Sequence, residues 1–188
     1  MDFVSAFKNK NDYFIGNIVI ARGQDERKRP QVVDGQQRLI TLWLLLKTLN
    51  VLCPNLNIKE QYLTIPSKRK DGSPVLKIKS EVFETKDDEL ITQIFNYELE
   101  DFQMRLSDVL DSKGNIREYK CKSRFEYSSL LFFQALHNNT EGHLTDFTDF
   151  ILEHVFLLPI ELNGSDIEEA NNKALTIFET INNRGMSL

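Results

Sequence analysis

A run of polar residues, Asp34-Gly35-Gln36-Gln37-Arg38, separates a short apolar stretch from a long apolar helix pattern. The first turn of a helix exposes unpaired N–H groups at the positive end of the helix dipole, so it favours an anion such as phosphate. The Arg38 guanidinium adds a permanently charged fork that suits phosphate oxygens. Asp34 could hold a metal ion through water or orient an attacking water. Gly35 lets the backbone approach a ligand closely, and both glutamines offer donors and acceptors.

The same residues also fit a purely structural role. Asp34 is a suitable helix N-cap, and Asp34-x-x-Gln37 fits a capping box. Arg38 could simply pair with an acidic neighbour. Residue types alone therefore leave an anion site and plain helix capping equally open.

Two separated motifs resemble one known family. The segment VVDGQQRLITLWLLL, residues 32–46, resembles the Asp-Gly-Gln-Gln-Arg signature of the N-terminal domain of GmrSD-type restriction endonucleases. That family is similar in its core to the ParB/sulfiredoxin fold. The segment ALTIFETINNRGMSL, residues 174–188, resembles the family's closing Phe-Glu-x-x-Asn-x-x-Gly-x-x-Leu motif. The elements between the motifs follow the expected order, so the resemblance covers essentially the whole chain.

The resemblance implies nucleoside triphosphate (NTP) binding and hydrolysis, with Mg²⁺ as the candidate cofactor. It gives catalytic roles to Asp34, Gln36, Gln37 and Arg38, with Asp34 as the candidate metal ligand. The residues that it implicates in nucleotide binding are Gly35, Arg38, Glu179, Asn182, Arg184 and Gly185. The implied function is a nucleotide-binding regulatory domain of a DNA restriction or phage-defence enzyme.

The resemblance also implies partners outside these residues. Family members commonly continue into a His-Asn-His nuclease region, so we expect DNA cleavage by a C-terminal domain or a partner subunit. They usually begin with a segment carrying a Gln-Arg-x-Tyr-x-Trp-like motif, and nothing like it precedes Phe14. We expect residues 1–188 to be a single domain from a longer protein, with a helical insertion over about 86–140.

Two other functions remain open. The same pocket could hold a DNA phosphate or a modified base and sense DNA without chemistry. The net charge of −5 disfavours a broad phosphate-binding surface but not a narrow pocket. Alternatively, Asp71 and Glu84 could bind Mg²⁺ with Lys86 near the attacking water, as in a metal-dependent nuclease. The loose spacing of these residues makes the nuclease the weakest of the three hypotheses.

Hydrophobic periodicity predicts the elements that must position the polar run. The β-branched stretch 14–21 predicts a strand, and residues 31–33 predict a return strand after a loop with a basic tip, Arg27-Lys28-Arg29. The apolar stretch 39–50 predicts a buried helix. The stretch 155–162 predicts a strand, which Pro159 either places at the edge of a sheet or interrupts, because proline cannot donate a ladder hydrogen bond.

The remaining patterns complete an α+β fold, with a small mixed sheet of ParB/sulfiredoxin-like type and a packed helical layer. YLTIP and VLKIK predict a second strand pair around a turn at 71–74, and residues 87–139 and 145–153 predict helices. A last helix is expected to begin with a Ser165-x-x-Glu168 capping box and to end at Gly185 in the left-handed conformation.

Targeting signals and metal-ligand patterns do not appear in the sequence. The two cysteines and three histidines have no metal-ligand spacing, and the N-terminus lacks the pattern of a signal peptide. The longest apolar run, 39–46, is too short to span a bilayer. We therefore expect a cytoplasmic protein with free thiols and no membrane partner.

Overall fold

The structure is a computed structural model that describes residues 3–25, 28–66, 75–78, 84–139 and 143–185; the side chains of 3–4, 84–86, 139 and 181–185 lie outside that description. In chain order the helices and strands are α1 (Phe3–Asn9), β1 (Tyr13–Arg22), β2 (Gln31–Asp34), α2 (Gln36–Leu52), β3 (Thr64–Ile65), β4 (Val75–Leu76), α3 (Glu84–Phe95), α4 (Leu99–Val109), α5 (Arg124–Asn139), α6 (Leu144–Glu153), β5 (Val155–Asn163) and α7 (Ile167–Gly185). This composition confirms the predicted α+β class with a small mixed sheet.

The chain forms two compact units. Unit 1 consists of Met1–Leu39 and Asp149–Leu188, and unit 2 consists of Ile40–Thr148. Unit 1 contains α1, the three strands β1, β2 and β5, the first turn of α2, the second half of α6, and α7. Unit 2 contains the rest of α2, the strands β3 and β4, the helices α3 to α5 and the first half of α6.

The sheet of unit 1 has the strand order β2-β1-β5, with β1 in the centre. β1 and β2 form the predicted antiparallel hairpin, and β1 and β5 pair in parallel. β5 lies at the edge, as Pro159 predicts, and its pairing continues through Pro159 opposite Ile18. Lys28 and Arg29 at the hairpin tip are exposed, while Arg27 lies outside the described residues.

The central strand is irregular at the end where the polar run lies. Relative to β5, β1 carries one extra residue between Phe14 and Gly16, which is a β-bulge, and Gly16 has a φ of +125°. The pairing with β2 ends at Asp34, opposite Val19. The β1–β2 pairing therefore does not reach Gly16 or Asn17. At these two residues the side of β1 that faces β2 is open to side chains from α2.

Helix α7 packs on the other end of the sheet and caps its own N-terminus. Val19 and Ala21 of β1 form a small core with Ala170 and Ala174. The Glu169 N–H donates to Asp166 Oδ1 at 2.8 Å, and the Ser165 N–H donates to Glu169 Oε2 at 2.7 Å. The predicted box of Ser165 with Glu168 is thus wrong by one residue, because Asp166 supplies the first helical carbonyl to Ala170. The helix extends to Gly185, the predicted end, but Gly185 belongs to the helix itself rather than terminating it in the left-handed conformation.

Unit 2 has an aromatic and aliphatic core. Phe102 stacks on Phe133 with ring centroids 5.1 Å apart, and Val51, Val109 and Leu130 surround the pair. The short strands β3 and β4 confirm the predicted second pair, although the predicted turn at 71–74 lies outside the described residues.

None of the helices in the described ranges is long and apolar enough to cross a membrane.

A buried polar network lies beside this core. Glu126 is 1% exposed and accepts from Tyr97 Oη at 2.7 Å, from Arg105 Nε at 2.8 Å and from the Lys122 N–H at 2.6 Å. Burial alone would raise the pKa of Glu126, but hydrogen bonds from Arg105, Lys122 and Tyr97 outweigh it and hold the pKa below its ordinary value. The carboxylate therefore stays charged inside the unit.

Lys47 joins the same network from α2. It is 3% exposed, and its Nζ donates to the Tyr97 carbonyl at 2.6 Å. Burial lowers the pKa of Lys47 to about 8, and the negative charge of Glu98 only partly opposes this effect.

We expect Lys47 to make the free energy of unfolding depend on pH. The folded pKa of about 8 lies below the ordinary value of 10.5, so the unfolded chain binds more protons between these pH values and stability rises across this window. The full difference corresponds to up to about 3 kcal/mol. Denaturant unfolding at several pH values should show this rise in the wild type relative to Lys47→Met. Parallel pH profiles for the two proteins would contradict the prediction.

Candidate functional site

The polar run lies at a tight strand-to-helix junction in unit 1. β2 ends at Asp34, and α2 begins at Gln36, with the Leu39 N–H donating to the Gly35 carbonyl at 3.0 Å. Gly35, with a φ of +86°, therefore occupies the N-cap position. The alternative in which Asp34 caps the helix is wrong, because Asp34 still belongs to the strand.

Gly35 is required by its close approach to the central strand. A Cβ added at this position would lie 2.5 Å from Ile18 Cγ2 and 3.2 Å from the Asn17 carbonyl oxygen. The missing side chain thus makes room for β1. This contact determines how close the start of α2 lies to β1.

The Arg38 guanidinium is positioned by β1. Its Nη1 donates to the Asn17 carbonyl at 2.5 Å, and a Cβ added to Gly16 would lie 3.6 Å from Arg38 Cζ. The group therefore rests against the glycine of the bulge. Its distance to Asp34 Oδ2 is 3.8 Å, an ion pair without a hydrogen bond, and its side chain is 41% exposed. A guanidinium has five N–H donors, and within the described ranges one of them is used.

The two glutamines have different surroundings. Gln36 Nε2 donates to the Val32 carbonyl at 2.6 Å, which ties the helix start back to β2. Gln37 is exposed, and its amide has no hydrogen-bond partner among the residues that the structure describes. Of the two, Gln37 is the one available to a ligand or to water.

The start of α2 is chemically unlike the start of α7. In α7, Asp166 and Glu169 occupy the cap with their own carboxylates. The first turn of α2 contains no acidic residue, its N-cap is a glycine, and the cation Arg38 lies within that turn. Since the first N–H groups of a helix have no intrahelical acceptors, this junction presents N–H donors and a positive charge together.

Asp34 provides one carboxylate for a metal ion. Its side chain is 31% exposed, and the part of the chain that the structure describes holds no group of three or more metal-ligating side chains. Mg²⁺ is often held by one or two carboxylates together with substrate phosphates. The donor set is therefore compatible with Mg²⁺ only when a phosphate supplies further ligands.

The closing motif lies in the last turns of α7. Glu179 is exposed and forms no hydrogen bond or ion pair with Asp34–Arg38 among the described residues. Asn182, Arg184 and Gly185 belong to the helix by their backbone, and their side chains lie outside the description. The structure thus brings together residues 34–38 and leaves the proposed contribution of α7 as a prediction.

The residues of the nuclease hypothesis fall outside the described part of the chain. Asp71 lies outside the described residues. For Glu84 and Lys86 the structure describes only the backbone, which belongs to α3.

The His154 side chain has a partner in unit 1. Its Nδ1 lies 2.9 Å from Asp12 Oδ1.

Gly16 and Asn17 are site residues that the sequence reasoning missed. Gly16 interrupts the otherwise β-branched and apolar run FIGNIVI, and an isolated glycine in a strand often marks a bulge or a close approach. The sequence therefore contained a signal for a bulge or a close approach at Gly16. The identity of the approaching group, Arg38, follows only from the three-dimensional register.

A comparison with protein families matches the whole chain. Residues 1–188 match the family described as GmrSD restriction endonuclease, N-terminal domain. Searches of curated proteins and of solved structures each gave no match. The chain belongs to the GmrSD restriction endonuclease N-terminal domain family, which confirms the resemblance and indicates a role in restriction and phage defence.

The close approach of Gly35 to Ile18 predicts a large effect of adding a single methyl group. Gly114 is a matched control, because its φ of +81° is similar and an added Cβ would meet no atom within 4 Å. We expect Gly114→Ala to lower the free energy of unfolding by about 1 kcal/mol through backbone strain alone. Gly35→Ala should cost about 1 to 3 kcal/mol more, because overpacking adds to the strain.

A double-mutant cycle identifies the cause of the extra cost. Ile18→Ala removes the Cγ2 atom that the new methyl group would meet. The cost of Gly35→Ala should therefore be smaller in an Ile18→Ala background, as measured by denaturant unfolding. Equal costs for Gly35→Ala and Gly114→Ala would show that the approach to Ile18 does not constrain the junction.

Proposed function

We propose that this member of the GmrSD restriction endonuclease N-terminal domain family binds a nucleoside triphosphate at the start of α2 and hydrolyses it with Mg²⁺. The observation that carries the proposal is the N-terminus of α2, with a glycine at the N-cap and no acidic residue in its first turn, beside Arg38, whose guanidinium is held on the Asn17 carbonyl. This arrangement supports a site for a polyanion, because the N–H donors of the helix and the positioned guanidinium of Arg38 lie together there.

In this proposal the phosphates contact the first N–H groups of α2 and the free donors of Arg38. The hydrogen bond to Asn17 orients the guanidinium before the nucleotide arrives, so little side-chain freedom is lost on binding. Asp34 lies 3.8 Å from Arg38 and would hold Mg²⁺ together with phosphate oxygens. Bound Mg²⁺ would neutralise charge on the transferring phosphoryl group.

Gln37 is the residue that we assign to the attacking water. Its amide is exposed and, in the described ranges, carries no hydrogen bond, so it can accept from water and donate to phosphate. Gln36 instead stabilises the junction through Val32. Glu179, Asn182, Arg184 and Gly185 would complete the site from α7. Hydrolysis would then control a nuclease that acts on DNA, in a further domain or a partner subunit.

The Arg38 side chain gives a direct test of nucleotide binding. Thermal unfolding of the wild type with Mg²⁺ and each common NTP should show stabilisation of about 2.7 kcal/mol at a nucleotide concentration 100 times its Kd. We expect Arg38→Ala to lose this stabilisation. Arg22→Ala is the matched control, because Arg22 has a similarly exposed side chain, 46% against 41%, and is also ion-paired.

Two results would contradict nucleotide binding at this junction. One is equal stabilisation of Arg38→Ala and the wild type, which would move the site elsewhere. The other is the absence of stabilisation by any nucleotide, combined with a salt-dependent affinity for DNA that Arg38→Ala removes. That combination would favour the DNA-sensing module.

The different surroundings of the glutamines predict opposite effects in hydrolysis and stability assays. Gln37→Ala should lower kcat for phosphate release by about 100-fold, because water loses its orienting group, with little change in stability. Gln36→Ala should cost about 1 kcal/mol of stability through the lost bond to Val32. Phosphate release and denaturant unfolding on both variants give the comparison. Normal turnover in Gln37→Ala would exclude its role in positioning water.

A further inference from the structure

The segment between α4 and α5 in unit 2 is strongly basic. Residues 117–124, REYKCKSR, carry a charge of +3, whereas the net charge of the whole chain is −5. Three of the four basic side chains in this segment are exposed, and the first is half-buried. We call these four residues the basic row: Arg117, Lys120, Lys122 and Arg124.

Side-chain contacts hold the basic row alongside α4. Arg117 Nη2 donates to the C-cap carbonyl of α4 at 2.7 Å, and the Lys120 carbonyl accepts from Arg105 Nη2, in the middle of the helix, at 3.4 Å. Lys122 Nζ lies 5.9 Å from the ring centre of Tyr97, two residues before the helix begins. The row therefore runs along the whole of α4, a length of about 16 Å at 1.5 Å per residue.

The acidic groups near the basic row have partners inside unit 2. Glu126 pairs with Arg105 at 2.8 Å and accepts from the Lys122 N–H, and Asp108 pairs with Arg105 at 3.2 Å. Asp111 accepts from two backbone N–H groups of its own loop. Among the described residues, no side chain of the basic row forms an ion pair. The row thus presents positive charge without an internal counter-ion, which fits an anionic partner.

An exposed aromatic ring lies within the basic row. Tyr119 is 80% exposed, and no other large hydrophobic side chain in the described ranges exceeds 59%. It belongs to the short 3-10 helix Glu118–Lys120, directly before a basic residue. Cations that track a phosphate backbone, combined with an aromatic ring on which a base stacks, are typical of single-stranded nucleic acid binding. A duplex hides the faces of its bases, so it would use the cations but not the ring.

We infer that the basic row and Tyr119 bind a single strand of DNA. This inference goes beyond the proposed function and does not rest on it, because no residue of the junction at 34–38 takes part. The row is narrow, so it is compatible with a chain whose net charge disfavours a broad phosphate-binding surface. Membership of a restriction endonuclease family favours DNA over RNA as the strand.

The salt dependence of binding tests the basic row. Fluorescence anisotropy with a labelled oligothymidylate of about 12 nucleotides measures the affinity of the full chain. Four phosphate contacts should give a slope of about −3 for the logarithm of the binding constant against that of the salt concentration. Joint substitution of Lys120, Lys122 and Arg124 by glutamine should reduce the slope to about −0.7. No binding by the wild type at low salt, or an unchanged slope in the triple variant, would overturn the inference.

The Tyr119 side chain tests whether a base stacks. We expect Tyr119→Ala to weaken oligothymidylate binding about tenfold and Tyr119→Phe to bind like the wild type, because phenylalanine keeps the ring. The side chain is 80% exposed, so neither change should alter thermal unfolding. Equal affinity of Tyr119→Ala and the wild type, with tighter binding of a duplex of the same length, would mean that the row contacts a duplex backbone instead.

A matched control separates the basic row from the overall charge of the chain. Lys8 on α1 in unit 1 is also exposed and forms no ion pair in the described ranges. Lys8→Gln and Lys120→Gln change the net charge equally. We expect Lys120→Gln to reduce the salt slope by about 0.7 and Lys8→Gln to leave it unchanged. Equal effects would assign binding to the overall charge and overturn the inference.

The remaining outcomes concern the partner and the proposed function. Tighter binding of oligouridylate RNA, or equal competition by polyglutamate, would overturn DNA as the partner. Loss of DNA binding in Arg38→Ala but not in the triple variant would place DNA at the start of α2 and overturn the inference. The triple variant keeps the junction at 34–38, so its stabilisation by NTP tests the proposed function alone. Either proposal can therefore fail while the other stands.

Discussion

The hydrogen bond from Arg38 to the Asn17 carbonyl is the interaction on which the candidate site depends. β2 stops opposite Val19, so its ladder does not reach the Asn17 carbonyl. A buried or half-buried backbone carbonyl needs a donor, and Arg38 supplies it from the first turn of α2. The same bond that satisfies the strand also fixes the guanidinium beside the free N–H groups of the helix. One contact thus provides the Asn17 carbonyl with a donor and positions the Arg38 guanidinium.

That contact is possible because two glycines remove side chains at the right places. At Gly16, a side chain would occupy the space next to the guanidinium, and at Gly35 it would collide with Ile18. Both residues also have positive φ angles that other residues rarely adopt. The junction therefore needs glycine for backbone conformation and for close packing at once. Neither reason depends on a bound ligand.

The elements around the site could largely be predicted from sequence, while the contacts between them could not. β1, β2, β5 and α2 begin and end within a few residues of the predicted bounds, because apolar periodicity reports which face of an element is buried. Pro159 correctly predicted an edge strand, since it lacks the donor that a central strand needs. Apolar periodicity and the missing N–H of proline are properties of the local sequence, so the sequence alone is enough to predict these elements.

Helix capping shows a case in which the local sequence fits two alternative N-cap residues. Ser165 and Asp166 are both good N-caps, and Glu168 and Glu169 can both complete a capping box, so the sequence allowed two registers one residue apart. At the other helix, Asp34 was a better cap by residue type than Gly35. The approach of Gly35 to β1 decided against it. At α2, tertiary packing thus selected between alternatives that differ by roughly a few tenths of a kcal/mol in capping energy.

The extra residue in β1 shapes the strand at the point where Arg38 lies against it. Strand side chains alternate with a period of two, so residues 14 and 17 lie on opposite faces of a regular strand. The bulge shifts the alternation by one, and Phe14 therefore shares its face with Asn17 and Leu158. It also gives Gly16 the backbone conformation in which Arg38 can lie against it. Bulges disrupt a ladder and are over-represented beside active sites, so a bulge at this position agrees with the proposed site.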